Sequence, residues 1–283
     1  MIENITSTDR FLYHYTKSST AIDYILKDRN IKFGAYTKTN DPKETKTWEF
    51  TVGTNGSIDY GKYRDAEESA WLSNELKGRA RVACFSQDSG PLTGCHLSDI
   101  FRRGFCKPHM WAHYAENHSG VCLVFDRQKL SQAITSQTPD GEIIMAGPVS
   151  YIDKGVVPDL YGDQAYLINA DVLEAVGREK YPALHMKTHY KTLFFEKMID
   201  WLNEAEWRFV IFSDTDNDVF IEYGDALVGI VFGDGTSKET IRTAMQLGRP
   251  YGVQCTGLTW KNCSPWYDFG NPLYLRKPWG ELD

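Results

Sequence analysis

The 283-residue sequence predicts a single α+β domain. Three observations carry that expectation. Short apolar strand-like runs and helical stretches are intermixed without the regular beat of a doubly wound sheet. No stretch marks a linker, so residues 1–283 are read as one unit. The length also suffices to bury a sizeable core.

The elements follow in order. Phe11 to Tyr15 reads as a strand, broken by His14 where alternation permits a polar residue; water, a partner in the core and a ligand in a cleft all stay open for it. A helix over residues 18–27 comes next, with Ser18 or Ser19 as N-cap and Ala21, Ile22, Ile25 and Leu26 as its apolar stripe. Ile31 to Phe33 is a short strand, and Asn40-Asp41-Pro42 is a turn. A polar helix over 63–77 leads to a strand over 81–86. A helix around Met110 to Ala115 precedes a strong strand, Val121 to Phe125. Residues 126–190 are expected to be mostly helical, with Gly/Pro breaks near 147 and 158, and a helix is expected to run on to about Trp201. Trp207 to Phe212 and Leu227 to Phe232 are apolar strands. Gly233-Asp234-Gly235 ends the second, and Ser237 opens a helix. Residues 256–283, rich in Pro, Trp and Gly, are expected to pack irregularly.

Composition narrows the partners. Aromatics make up 13% of the chain, enough to line a pocket that stacks on flat ligands as well as to fill a core. A net charge of −7 disfavours an extended grip on duplex nucleic acid, which needs a basic face. Two basic clusters, Lys77/Arg79/Arg81 and Arg102/Arg103/Lys107, read as solvated surface. No secretory leader opens the chain, and no apolar run approaches the length of a membrane span, so a cytoplasmic, non-membrane protein is expected. Cys84 and Cys122 sit in apolar runs as small hydrophobes rather than in a disulfide framework.

Two phosphate motifs are absent: there is no Walker loop and no GxGxxG after a strand. Gly233-Asp234-Gly235 reads as a plain turn. Cys106, His109 and His113 have a spacing that zinc tolerates, but close-spaced Cys pairs are missing; no metal is expected, and these three are the weak candidates. In WLNEAEWRFVIF, residues 201–212, a strand beginning at Glu204 puts Glu204, Glu206 and Arg208 on one side. Three charges on an apolar strand leave two readings open: a paired-carboxylate site, or an edge strand with a solvated Glu–Arg pair.

Four landmarks stand in this order: LYHYT with its helix, NDPKE, CFS followed by MWAHYAENHSGVCLVFD, and EAEWR. Together they resemble a bacterial family known only as a domain of unknown function, number 2971 in its series. The resemblance covers about 11–235 and leaves 236–283 as an aromatic, Pro-rich extension. The Cys95-to-His109 stretch departs from it in wording.

The opening also resembles ADP-ribosyltransferases, notably the DNA-modifying toxin branch. That resemblance implies a split sheet with flanking helices, NAD as substrate, and a site assembled from separate strands. His14, with Tyr15 and Thr16, matches the first-strand motif that holds an NAD ribose. Ser86 is what remains of the middle motif. Glu206, with Glu204 two before it, matches the closing carboxylate motif, and Tyr114 and Arg208 complete the candidate cofactor-binding set. The implied roles are an oxocarbenium-stabilising Glu206 and a Glu204 that handles the acceptor. The acceptor, a macromolecule or a small molecule, is not implied. By analogy, a toxin or phage-defence effector with a cognate antitoxin or regulator follows. The alternatives are a non-catalytic nucleotide- or protein-binding sensor module, and a zinc-supported hydrolase on Cys106, His109 and His113.

Overall fold

A computed structural model of the chain describes residues 2, 7, 9–54, 56, 58–153 and 164–267. The first strand is β1 (Phe11–Thr16), and the helix behind it, α1 (Ser18–Thr20), continues as a π-helical turn over Ala21–Leu26. There follow β2 (Asn30–Ala35), α2 (Pro42–Thr45), β3 (Thr51–Gly53), α3 (Asp65–Gly78) and β4 (Ala80–Ser86). After α4 (His96–Asp99) and α5 (Pro108–Tyr114) come β5 (Val121–Asp126), α6 (Arg127–Gln137), β6 (Ile143–Pro148), β7 (Ser150–Ile152) and β8 (Leu167–Asn169). Then come α7 (Ala170–Val176), α8 (Tyr181–Phe194), β9 (Glu196–Met198), β10 (Glu206–Phe212), β11 (Val219–Glu222) and β12 (Leu227–Phe232). The last described elements are α9 (Lys238–Gly248), β13 (Gln254–Lys261) and β14 (Ser264–Tyr267).

Ten of the strands join in one sheet, and the whole is a mixed α/β domain. β4 is its branch point. One edge of β4 pairs with β10 along its full length, from Glu206↔Ser86 to Phe212↔Ala80, and β6 continues beyond β10. The other edge is shared. β2 takes Arg81 and Val82, while β1 meets β4 only at Tyr13↔Ser86. Between those contacts, Ala83 to Phe85 has no strand partner on that edge among the described residues, and the sheet is open there. From β1 the sheet runs on through β5 and β12, both antiparallel, to β13, which is parallel to β12.

Side-chain alternation divides the core accordingly. Leu12, Phe85, Leu123, Phe125, Phe209 and Ile211 face one side of the sheet, packed with α1 and α9. On the other side β4 and β10 send Val82, Val210 and Phe212 into a cluster with α3 and α8. β1 and β5 send Tyr13, Tyr15, Cys122 and Val124 into a third cluster around Trp111. The opening in the sheet lies between these last two clusters.

Several expectations need correction. The mostly helical reading of 126–190 misses β6, and Gly147-Pro148 ends a strand rather than breaking a helix. Pro148 is tolerated because β6 is an edge strand, where a missing N–H costs no ladder bond. The break near 158 lies outside the described residues. The helix stops at Phe194 rather than near Trp201, and gives way to β9 and a 3-10 segment, Ile199–Glu204. Neither Ser18 nor Ser19 caps its helix; Lys17 holds the N-cap position, and Ser18 Oγ donates to the carbonyl of Ser119. Residues 254–267 form a hairpin rather than irregular chain, and residues 268–283 lie outside the described residues.

The basic clusters are solvated surface only in part: Arg102 is exposed and Arg79 half-buried. Lys77, Arg81, Arg103 and Lys107 are all buried. Lys77 Nζ donates to the carbonyls of Lys43 and Glu44 at 2.9 and 3.0 Å, Arg81 to those of Asn217 and Thr215, and Lys107 to Ser89 Oγ; Arg103 pairs with Asp88 at 3.0 Å. Each long stem is buried with its charge spent on carbonyls, a hydroxyl or a carboxylate, which hydropathy alone does not reveal. Among the described residues, no helix is long and apolar enough to cross a membrane.

Candidate functional site

Where β1 and β4 part, the gap is filled by a side chain. His14 Nδ1 lies 3.1 Å from the carbonyl oxygen of Cys84, in the stretch of β4 that lacks a strand partner. A carbonyl only accepts, so Nδ1 carries the proton and Nε2 is bare in the neutral ring. Burial lowers the His14 pKa below its ordinary value, and the bond to Cys84 offsets this in part. His14 is therefore neutral near pH 7, with Nε2 available to accept from a hydroxyl.

A cavity of about 300 Å³ opens at this point. His14 and Tyr15 line it from β1, Cys84 and Ser86 from β4, and Met110 and Tyr114 from α5. Its floor is ionic. Glu204 and Glu206 are 5% and 3% exposed, and both reach the same amine: Lys197 Nζ lies 2.9 Å from Glu204 Oε2 and 2.7 Å from Glu206 Oε2. Arg208, fully buried, donates from Nε to Glu206 Oε1 at 2.6 Å and from Nη2 to Glu206 Oε2 at 3.0 Å and Glu44 Oε1 at 2.5 Å. Tyr114 donates its hydroxyl proton to Glu204 Oε1 at 2.6 Å and accepts from Asn40 Nδ2 at 3.3 Å. Ser86 Oγ donates to the Glu204 carbonyl at 2.7 Å, tying the end of β4 to the carboxylate segment.

Electrostatics follow from this packing. Burial works against the Glu206 carboxylate, but Arg208 and Lys197 outweigh it and bring its pKa down to about 2. Burial likewise opposes the charge on Lys197, and Glu206, Glu44 and Glu204 overcome it and raise its pKa. The Tyr114 hydroxyl is raised by burial and by its bond to Glu204, so it remains a donor. Three carboxylates share two cations through direct ion pairs in this cluster, and Lys32 and Lys38 also line the cavity.

The two glutamates do not share the cavity for the reason alternation suggested. The strand starts at Glu206, not Glu204. Glu204 ends the 3-10 segment, and Ala205 between them is left-handed, with φ of 44°. That turn, rather than a two-residue strand repeat, brings both carboxylates to Lys197. The edge-strand alternative fails as well: β10 lies between β4 and β6, and the Glu206–Arg208 pair is buried.

Of the candidates named from sequence, His14, Tyr15, Ser86, Tyr114, Glu204 and Glu206 line this one cavity. Thr16 and Arg208 do not. Thr16 is buried at the far end of β1, opposite Val121, and Arg208 lies behind Glu206 with its donors spent on Glu206, Glu44 and the carbonyl of Phe194. The zinc candidates diverge: Cys106 is buried in the aromatic cluster around Trp111, while His113 is exposed. Among the described residues no three His, Cys, Asp or Glu side chains are grouped to hold a metal ion.

Sequence reasoning missed Lys197 and Glu44 as members of the site. Glu44 had a signal, since it closes the NDPKE landmark: Asp41 caps α2 by accepting from the N–H of Lys43, and the short helix then turns Glu44 inward. Lys197, in FFEKMID, had none.

Residues 110–209 match a family model described as Protein of unknown function (DUF2971). The matched stretch runs from α5 into β10, and it contains Tyr114, Lys197, Glu204, Glu206 and Arg208. It is narrower than the 11–235 expected, and His14, Glu44 and Ser86 fall outside it. No curated protein and no solved structure matches the chain.

Proposed function

We propose that the cavity binds NAD and that the protein cleaves the bond between nicotinamide and ribose, passing ADP-ribose to an acceptor. One observation carries the reading. His14, Ser86, Glu204 and Glu206 come from three widely separated segments, were singled out by resemblance to ADP-ribosyltransferases, and line one cavity at the split in the sheet.

The chemistry suits the groups present. Heterolysis of the glycosidic C–N bond sends its electron pair to the nicotinamide nitrogen and leaves an oxocarbenium-like ribose. The Glu206 carboxylate stabilises that cation in a site where the surrounding dipoles are already fixed. His14 Nε2 accepts from a ribose hydroxyl. The acceptor nucleophile then attacks the ribose carbon and gives up its proton, for which Glu204, held by Tyr114, is the base. The acceptor is left open, as are a toxin or phage-defence role and a cognate regulator.

A second reading has its own observation. Both oxygens of each carboxylate are already engaged, Glu206 by Arg208 and Lys197, Glu204 by Tyr114 and Lys197. A nucleotide-binding module without catalysis accounts for that equally well.

Single-turnover NAD cleavage, with binding followed by calorimetry, decides between them. Glu206→Gln is expected to keep NAD affinity within a few fold and to slow cleavage by roughly 10²-fold, the scale of one lost preorganised contact. Glu204→Gln is expected to lose transfer more than hydrolysis. Wild-type protein that binds NAD and never cleaves it with any extract makes this a binding module. Wild-type protein that does not bind NAD ends both readings.

A further inference from the structure

The two carboxylates of the cavity share one counter-ion, and it comes from outside their own strand. Lys197 rises from β9 with its amine about equally far from Glu204 and Glu206, and its ammonium lies over the ring of Trp201. Arg208, on β10, serves Glu206 and Glu44 instead. Lys32 and Lys38 also line the cavity, and Lys32 pairs with Asp218 at 2.6 Å. The groups packed closest to the pair bring no further positive charge near pH 7. Tyr114 from α5, Tyr151 from β7 and Cys84 from β4 are neutral, with pKa values raised by burial. His14 from β1 and His109 from α5 are neutral because burial lowers theirs. Glu44 from α2 adds a negative charge beyond Arg208.

We infer that Lys197 is a positioning residue that clamps Glu204 and Glu206 side by side as the counter-ion the two share. Without the amine, two buried carboxylates would face each other across its place. Arg208 would still serve Glu206 and Glu44, but like charges that close resist ionising together, so the pair would take up its first proton above an ordinary carboxyl and titrate as a unit. The enzymatic consequence rests on the NAD reading above; the consequence for stability does not.

The experiment compares wild type, Lys197→Met, Lys197→Arg and the double variant Lys197→Met Glu204→Gln. In NAD cleavage, the acid limb of the rate profile is expected to move up by about 1–2 pH units in Lys197→Met and to stay with the wild type in Lys197→Arg. An unmoved limb in a folded, active Lys197→Met overturns the clamp.

Denaturant unfolding from about pH 5 to about pH 8 gives a reading free of activity. In the variant the pair's raised pKa contributes stability below that pKa and loses it as pH rises, so Lys197→Met is expected to weaken toward pH 8. The double variant, which removes the second charge, is expected to lose that slope. A lysine that merely fills space would give a uniform loss with no slope, and that outcome refutes the inference. If Lys197→Met does not fold, recovery of folding by the double variant supports the clamp, and failure to recover overturns it. If wild type never cleaves NAD, the proposed function falls and the unfolding data alone decide.

Discussion

Glu206 ties stability to pH. Its carboxyl sits at about 2 in the folded chain against an ordinary 4.5, with Arg208 and Lys197 outweighing its burial. Folding thus favours the ionised form. The stabilisation is complete above an ordinary carboxyl pKa and is lost as pH falls through the folded value. At about 1.4 kcal/mol per unit, it amounts to something on the order of 3 kcal/mol. Urea unfolding followed down from about pH 5 toward about pH 2 is expected to show that loss, and Glu206→Gln is expected to flatten it while lowering stability at neutral pH. His14, Ser86, Glu204 and Glu206 were visible in the sequence because each sits in a short motif with chemistry of its own. Lys197 was not. A lone Lys between Glu196 and Met198 looks like any surface lysine, and only the fold shows that β9 points it at two carboxylates.

At the scale of elements, the segment between Lys197 and β10 depends on one backbone conformation. Ala205 is left-handed and 8% exposed, its N–H donates to the carbonyl of Leu202, and its carbonyl accepts from the N–H of Gln87. A left-handed L-residue costs about 1–2 kcal/mol, which Gly avoids at some entropic cost of its own. Ala205→Gly is therefore expected to melt no lower than wild type. Ala205→Val, β-branched at a positive φ, is expected to lose about 1–2 kcal/mol or more and to pull Glu204 from Lys197; thermal melts and NAD titration check both. Element identity was legible where an apolar run of five or more residues marks a buried strand, as in β1, β4, β5, β10 and β12. It failed for β6, where Gly147 and Pro148 imitate a helix break, and for β7, β8 and β9, whose three residues are too few to show a period.

For the whole molecule, the described residues of the expected extension, 236–267, contribute to the core. α9 packs on the π-helical turn Ala21–Leu26 and adds Ile241 and Ala244 to the core cluster there, β13 pairs with β12 from Gln254 to Gly257, and Leu258 and Tyr267 complete the cluster around Trp111. Ile241 and Leu258 alone account for about 1.5–3 kcal/mol each, against a typical total stability of about 5–15. A chain ending at residue 235 is expected not to fold cooperatively, as circular dichroism and a denaturant titration would reveal; a sharp two-state transition in that fragment would contradict it.

The single Tyr13↔Ser86 bridge has a consequence for motion. β1 holds β5 through six paired residues and β10 holds β4 through seven, so each half of the sheet is stitched firmly, while the seam between them is one ladder rung and an imidazole. Amide protons along that seam are poised to trade with deuterium sooner than those on either flank. A molecule wedged in the cavity and gripping both banks acts as a suture, and slows that exchange without touching most of the amides it protects.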